Sequence, residues 1–254
     1  MKVAALGQLD GPVLVSGAPA SNLQALMALL GEAARRRVDR AALICNGGLV
    51  GPCGDPGAVV STLRTLGGPV LAAETERRLG AGPRRGGPLA GRDWYRLADD
   101  RLPDRDRMWL DALPGAAVFR HRGRQYGVIA PCAGTAPEAD LPECDLGALA
   151  ARLEPHLGRC DTIFSSGAGP AFRRVAAGVE WIGTGMLGLP PGDGSRRTRF
   201  VMIRAGQARL HRLDYDLGGA VARMRQLGLD PRWQAALCGG SLPGQELQPG
   251  PRAA

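Results

Sequence analysis

The sequence is poor in lysine, in aromatic residues and in long apolar runs. Lys2 is the only lysine, so the chain is arginine-rich: 32 basic residues, all but one of them arginine, exceed 24 acidic residues and give a net charge of +8. Aromatic residues make up 4% of the chain, which leaves few side chains on which nucleic-acid bases could stack. Because no stretch approaches the roughly 18 apolar residues of a membrane span and no signal-peptide core is present, we expect a cytoplasmic protein that binds neither nucleic acid nor membrane.

Histidine is scarce, and the cysteines do not form the usual metal-binding or disulfide patterns. The cysteines are Cys45, Cys53, Cys132, Cys144, Cys160 and Cys238. No two of them have C-x-x-C spacing, which excludes a zinc ribbon and a disulfide framework. The histidines, His121, His156 and His211, are expected in a hairpin turn, near a helix end and on a strand. We interpret all three as surface or structural residues.

Short apolar runs alternate with helical patterns in the first half of the chain. Residues 12–16 and 41–45 are predicted as buried strands, and each precedes a segment with helical periodicity. Ser21 and Gln24 have capping-box spacing before the first helix, and Asp55 is a candidate N-cap for the second. This alternation predicts an α/β layered fold with parallel strand pairing.

The second half of the chain carries strand pairs around short turns. The pairs are 116–120 with 125–130, 171–176 with 179–183, and 199–203 with 208–213. Residues 80–113 are expected to form a helical insert anchored by Trp94, Tyr95 and Trp109. We predict a single domain over residues 1–237 that includes this insert, followed by a flexible tail over residues 238–254.

Six segments resemble, in order and at ordinary spacings, the sequence blocks of the calcineurin-like metallophosphoesterases, in particular the small bacterial phosphodiesterase-like branch. The segments are VSGAPASNLQAL (15–26), NGGLVGPCGDP (46–56), AAETERRL (72–79), VIAPC (128–132), SSGAGPAFRRV (165–175) and GTGMLGLPPGDG (183–194). The resemblance implies an αββα sandwich, in which two mixed β-sheets are flanked by helices.

The resemblance does not extend to the metal ligands. Active members of this superfamily use carboxylate, amide and imidazole ligands to hold two cations, which activate a water and bind the phosphate oxygens. The matching positions here are Ala18, Ala20, Gly48, Glu74, Ala130, Gly167 and Gly169, and the catalytic histidine falls on Thr75. Only Glu74 retains a ligand atom, whereas a hard cation takes roughly four to six ligands. We therefore identify a degenerate member and expect no metal or other cofactor.

Some polar residues persist near these positions. Those expected to line a residual pocket are Asn46, Glu74, Glu76, Cys132, Ser165, Ser166 and Thr184. Glycine-rich loops could hold a phosphate through backbone N–H groups, although turns and caps explain the same residues. No histidine is placed to activate Cys132, so we assign no catalytic residue. The run GDGSRRTR (192–199) offers Arg196, Arg197 and Arg199 to an anion or an acidic partner.

Two functions of different kinds follow from the resemblance. The first is a catalytically inactive metallophosphoesterase-fold protein, a pseudoenzyme that acts as a binding or assembly subunit, as phosphoesterase-like folds do in the retromer coat. Its protein partner would contact the former active-site edge or the insert. The alternative is a metal-dependent phosphoesterase, a hydrolase whose site is rebuilt or completed by a partner, with ligands such as Asp93, Asp99 or Asp100. Polyanion binding through arginine is a third, weaker alternative.

Overall fold

The computed structural model describes residues 1–82, 89, 91–131, 145–167 and 171–243, which form two mixed β-sheets with helices packed against them. The strands are β1 (Val3–Gln8), β2 (Val13–Ser16), β3 (Leu43–Cys45), β4 (Ala116–His121), β5 (Arg124–Ile129), β6 (Thr162–Ser165), β7 (Phe172–Ala176), β8 (Val179–Gly183), β9 (Thr198–Arg204) and β10 (Gln207–Leu213). The helices are α1 (Leu23–Arg35), α2 (Pro56–Leu66), α3 (Glu74–Gly80), α4 (Asp93–Arg101), α5 (Asp104–Ala112), α6 (Leu146–Leu157), α7 (Leu217–Gln226) and α8 (Pro231–Gly239).

Parallel and antiparallel pairs occur in both sheets. The six-stranded sheet has the order β1-β4-β5-β6-β8-β7, with β5, β6 and β8 parallel to one another. The four-stranded sheet has the order β10-β9-β2-β3, with β2 parallel to β3 and antiparallel to β9. The three predicted hairpins are therefore confirmed as β4–β5, β7–β8 and β9–β10. β1, α3 and α8 were not predicted.

The sandwich follows from the period-two alternation of side chains along the strands of the smaller sheet. On β2, Leu14 packs into a cluster with α1, α2 and α7, whereas Val13 and Val15 pack into a second cluster with the six-stranded sheet. On β9, Phe200 and Met202 pack into the first cluster, whereas Val201 and Ile203 pack into the second. Successive residues on a strand point to opposite faces, so both faces of this sheet are buried. The predicted αββα arrangement is thereby confirmed.

Two helix caps differ from the predicted ones. Asn22, not Ser21, caps α1: its side chain accepts a 3.0 Å hydrogen bond from the N–H of Ala25. Ser21 has a φ of +63°, which an N-cap residue does not adopt, and its hydroxyl instead accepts from a neighbouring loop. Asp55 does occupy the N-cap position of α2, but its carboxylate pairs with Arg223 of α7 at 2.8 Å and makes no capping bond.

The insert and the C-terminal boundary also take a definite form. α4 and α5 lie within residues 80–113, the range predicted as a helical insert, and residues 83–88 and 90 of that range lie outside the described part. The predicted domain boundary at residue 237 falls inside α8, and Leu242 beyond that helix is buried. Buried residues therefore continue past residue 238, and residues 244–254 lie outside the described part. None of the described helices has the length and apolar character that crossing a bilayer requires.

Candidate functional site

The loops that carry the family-like blocks meet at one edge of the sandwich. This edge is formed by the C-terminal ends of β2, β3, β5, β6 and β8, which the parallel pairings bring to the same side. Two close approaches join the sheets there. A Cβ built on Gly17 would lie 2.9 Å from the Thr184 hydroxyl oxygen, and one built on Gly47 would lie 3.3 Å from the Cβ of Ala130. We call this region the strand-end edge.

The loop after β2 is held on both sides by backbone hydrogen bonds. On one side the N–H of Ala20 donates to the carbonyl of Gly48 at 2.9 Å, and the N–H of Cys53 donates to the carbonyl of Ala20. On the other side the N–H groups of Leu187 and Gly188 both donate to the carbonyl of Ala18 at 2.9 Å. The carbonyl of Ala18 and both backbone groups of Ala20, the two positions that match an Asp and a His ligand, thus join three loops.

These loops approach so closely that side chains cannot enter between them. A Cβ on Gly17 would lie 1.8 Å from the carbonyl oxygen of Gly185, and a Cβ on Gly188 would lie 1.7 Å from that of Pro19. A Cβ on Gly48 would lie 2.4 Å from the Cβ of Ala18. Because the obstacle is backbone at the first two positions, rotation of a side chain cannot relieve it. Among the positions aligned with metal ligands, a side chain at Gly48 would therefore meet Ala18, whereas a Cβ on Gly167 would meet nothing within 4 Å.

A buried carboxylate organises the loop after β3. Glu76, on α3, is fully buried and accepts hydrogen bonds from the backbone N–H groups of Gly48 (3.1 Å), Val50 (3.1 Å) and Ala73 (2.9 Å). Burial raises the pKa of the Glu76 carboxyl above its ordinary value, and the three N–H donors act in the opposite direction. Since both carboxylate oxygens are occupied by backbone donors, Glu76 serves as a loop anchor and is not placed as a metal ligand.

Several hydroxyl and amide groups at the strand-end edge have no hydrogen-bond partner within the described part of the chain. They are the side chains of Ser16, Asn46, Ser165 and Ser166, all of them at least 98% buried. Thr184 differs, because its hydroxyl lies 3.1 Å from the carbonyl of Ser165. Buried polar groups in folded proteins are nearly always satisfied, so these side chains mark places where ordered water would bind.

The positions that the resemblance aligns with metal ligands differ in their burial. Ala18, Ala20 and Ala130 are buried, Gly48 and Gly167 are half-buried, and Gly169 lies outside the described residues. Glu74 is 54% exposed and pairs with Arg78 at 2.8 Å. Over the described ranges no three His, Cys, Asp or Glu side chains come together in a way that could hold a metal ion. The residues present therefore do not fit a two-cation centre.

The carboxylates that the insert was expected to lend to a rebuilt site have other partners. Asp93 accepts hydrogen bonds from the backbone N–H groups of Trp94 at 2.7 Å and Asp230 at 2.6 Å. Asp99 pairs with the buried guanidinium of Arg107 at 2.8 Å, and Asp100 is exposed on α4. None of the contacts described above for the strand-end edge involves these three carboxylates.

No activated nucleophile is present at this edge among the described residues. Cys45 is buried, and burial raises the pKa of its thiol to about 12, so it stays protonated at neutral pH. Cys132 lies outside the described residues. His121 and His211 belong to β4 and β10, His156 is exposed on α6, and none of them lies at the ends of the strands that form the edge.

The three arginines of residues 192–199 differ in exposure and in ion pairing. Arg199 is buried and its guanidinium pairs with buried Asp193 at 2.5 Å, so it cannot meet an external anion without breaking that pair. Arg197 is exposed and pairs with Asp214 at 2.8 Å. Arg196 is exposed and makes no ion pair with any described residue. The run therefore presents one unpaired cation.

Comparison with known proteins identifies the fold. No family model matches the chain, and no curated protein matches it in sequence. The crystal structure of a metallophosphoesterase from Sphaerobacter thermophilus superposes with a TM-score of 0.70 at 18% identity, covering 91% of this chain and 100% of that one. A hypothetical protein from Pyrococcus horikoshii OT3 superposes with a TM-score of 0.73 at 15% identity, covering 91% and 99%. The chain therefore has the calcineurin-like metallophosphoesterase fold.

Proposed function

We propose that this chain, which has the metallophosphoesterase fold, acts as a binding or assembly subunit and not as a phosphoesterase. The observation that carries the proposal is the close packing at the strand-end edge. Gly48 and Ala18 approach so closely that a Cβ on the glycine would lie 2.4 Å from the alanine Cβ. A catalytic site with two cations needs several oxygen or nitrogen ligands at such positions, and the alanine and glycine side chains there supply none.

The chemical content of the edge supports the same proposal. Its polar groups are hydroxyls, one amide, the anchored carboxylate of Glu76 and the carboxylate of Glu74, which pairs with Arg78. A serine hydroxyl becomes a nucleophile only beside a base that removes its proton. No histidine lies at the ends of these strands, and Glu76 is occupied by backbone donors. These groups can bind water or orient a contacting surface, but they do not form an acid–base or nucleophilic apparatus.

Of the two contact surfaces suggested by the sequence, we propose the strand-end edge. The insert was the other, with Trp94, Tyr95 and Trp109 as anchors, but Trp94 and Tyr95 are buried in the hydrophobic core and Trp109 is half-buried against it. Interface anchors must be able to reach the partner. Glu74 and Gly167 keep part of their surface at the strand-end edge.

Purified protein is expected to contain no stoichiometric manganese, iron or zinc and to leave bis(p-nitrophenyl) phosphate intact when these metals are added. The reason is the missing donor set described above. Elemental analysis of the protein isolated from its own cells, together with the hydrolysis assay, measures both quantities. One or more metal ions per chain together with turnover above the metal-only blank would establish the hydrolase alternative in place of this proposal.

Restoring an acidic ligand at a single position is expected to destabilise the protein and not to create metal affinity. The Gly48→Asp variant would place a Cβ 2.4 Å from that of Ala18 at a residue with a φ of +64°. Gly67→Asp is the matched control, because Gly67 has a φ of +69° but nothing within 4 Å of its Cβ position. We expect Gly48→Asp to unfold at a lower temperature than Gly67→Asp, measured by circular dichroism with and without Mn²⁺. A Mn²⁺-dependent rise in the Tm of Gly48→Asp alone would contradict this expectation.

The assembly itself is tested in native lysate. A tagged chain should elute from a sizing column well above its own mass of 26.6 kDa. Glu74→Arg should return it to that mass, because the substitution reverses a charge at the strand-end edge, whereas Asp100→Arg on α4 should not. Elution of the wild-type chain at its own mass, or equal behaviour of the two variants, would overturn the proposed contact surface.

A further inference from the structure

A pocket lined with arginines lies at the edge of the sandwich opposite to the strand-end edge. Its walls are the connection between β1 and β2, the C-terminal end of α1, and the turns of the β4–β5 and β9–β10 hairpins. Five arginines line it, namely Arg35, Arg36, Arg37, Arg122 and Arg204. The cavity measures about 600 Å³, which lies within the range that small-molecule sites occupy.

Direct contacts hold these separate elements together around one space. The guanidinium of Arg204, in the β9–β10 hairpin, donates to the backbone carbonyl of Arg36 at the end of α1 over 3.1 Å. A Cβ on Gly206 of the same turn would lie 3.7 Å from the Cβ of Arg122 in the β4–β5 turn. The Nδ1 atom of His121 lies 2.6 Å from the carbonyl of Leu9 and so joins the β1–β2 connection to β4. The arginines of three elements therefore share the pocket.

The positive charge of the pocket is only partly compensated. Arg35 and Arg36 both pair with Glu32. Arg37, Arg122 and Arg204 have no carboxylate within ion-pair distance in the described part of the chain, and all three are exposed. With Asp10 as the acidic residue of the lining, five cations face two carboxylates. Like charges held together repel, so the pocket attracts an anion that bears several negative charges.

Helix termination explains only part of this cluster. Cations at the C-terminal end of a helix interact favourably with the helix dipole, and this accounts for Arg35 and Arg36 on α1. It does not account for Arg122 and Arg204, which belong to hairpins of two different sheets. Their convergence on the end of α1 adds positive charge beyond what the dipole needs.

Two of the lining arginines occupy left-handed backbone positions. Arg37 has a φ of +56° at the position after the cap of α1, where its N–H and that of Val38 bond back to Ala34 and Ala33, a motif that favours glycine. Arg122 has a φ of +52° in a two-residue hairpin turn, where asparagine is favoured. Arginine at a left-handed position costs stability. Two of the six described non-glycine residues with positive φ are thus arginines, and both line this pocket.

We propose that this pocket binds a small anion that carries two or more phosphate groups. Three guanidinium groups that have no carboxylate partner provide forked donors from which phosphate oxygens can accept hydrogen bonds. The concave shape suits a compact ligand better than an extended strand. His121 forms part of the wall; it is 99% buried and its Nε2 atom has no partner among the described residues. A water bound to an incoming phosphate would donate to Nε2 and provide that partner.

Isothermal titration of the full chain with inorganic tripolyphosphate tests the proposal. We expect saturable binding of one tripolyphosphate per chain. The triple variant Arg37→Gln/Arg122→Gln/Arg204→Gln should bind tripolyphosphate at least a hundredfold more weakly, because several charged hydrogen bonds are lost. The matched control is Arg96→Gln/Arg152→Gln/Arg225→Gln, which removes three exposed arginines of α4, α6 and α7 and lowers the net charge by the same amount. Absence of saturable binding, or equal weakening in both triple variants, would overturn the proposal.

A second variant separates binding from folding. Arg37→Gly/Arg122→Asn removes two cations and at the same time places favoured residues at the two left-handed positions. We expect its Tm to rise by about 2–4 °C while its affinity for tripolyphosphate falls at least tenfold. Retained affinity would show that these arginines are not the ligands.

Two further titrants define the chemical class. Orthophosphate should bind at least tenfold more weakly than tripolyphosphate, since it reaches fewer arginines. A single-stranded oligonucleotide should not compete with tripolyphosphate at equal phosphate concentration. Equal affinity for orthophosphate would refute the requirement for several phosphate groups, and tighter oligonucleotide binding would assign the surface to nucleic acid and overturn the proposal.

Discussion

The Gly17→Ala variant is expected to lose about 3 kcal/mol of unfolding free energy. Gly17 lies where the two sheets meet at the strand-end edge, and a Cβ there would be 1.8 Å from the carbonyl oxygen of Gly185 and 2.9 Å from its carbon. Both atoms belong to the backbone of a loop that is itself bonded to Ala18 through Leu187 and Gly188. A clash with backbone can be relieved only by moving that loop, which would break its hydrogen bonds to Ala18.

Thermal and urea unfolding measure this effect, and a chain of this size should show a fall in Tm of about 6–12 °C. Gly11→Ala is the control: Gly11 precedes β2, has no atom within 4 Å of its Cβ position and has no positive φ. It should change the unfolding free energy by no more than about 0.5 kcal/mol. Equal stability of the two variants would mean that the loops after β2 and β8 are not packed as described.

The Glu76→Ala variant is expected to lose about 3 kcal/mol or more near pH 4, because three buried backbone N–H groups lose their acceptor at once. Those groups belong to Gly48, Val50 and Ala73. Glu76→Gln keeps one acceptor oxygen and the same shape, so it should lose less than the alanine variant. Glu74→Ala is the matched control on the same helix, since its exposed ion pair contributes little.

The effect of Glu76 on stability should depend on pH with a definite sign. Burial raises the folded-state pKa of Glu76 above its ordinary value of 4.5, so the folded protein binds the proton more tightly than the unfolded chain does. The contribution of Glu76 to the unfolding free energy is therefore fully present below pH 4.5 and is lost as the pH rises through the raised pKa. The difference in unfolding free energy between wild type and Glu76→Gln should shrink over that interval. A difference that grows with pH would mean that the three N–H donors outweigh burial.

Much of the architecture could be predicted from the sequence because its elements show clear periodicity. The strands at 12–16 and 41–45 and all three hairpins were identified from apolar runs and turns. β1 (Val3–Gln8) was missed because its residues are exposed or half-buried at an edge and alternate only weakly. The N-cap of α1 is one residue later than predicted, because the backbone at Ser21 is left-handed, which the sequence does not reveal.

The composition of the strand-end edge was also predictable, whereas its geometry was not. Alanine and glycine at the positions that the resemblance aligns predict that ligand atoms are missing there. The role of Glu76 depends on N–H groups 28 and 26 residues earlier in the chain, and no local pattern encodes that distance. The arginine pocket is a still longer-range feature, since Arg37, Arg122 and Arg204 come from connections far apart in sequence. Only the runs at 35–37 and 192–199 were visible as charge clusters.

The position of β2 between β3 and β9 has a consequence for the order in which the chain can fold. β2 (Val13–Ser16) finds one neighbour soon after it is synthesised, but its other neighbour, β9 (Thr198–Arg204), is made only when most of the chain has left the ribosome. Until then Val13 and Val15 lack the partner strand beside them. The smaller sheet can close only late, so its formation should be slow, and a nascent chain that stops before Thr198 keeps an unpaired, apolar strand edge prone to aggregation.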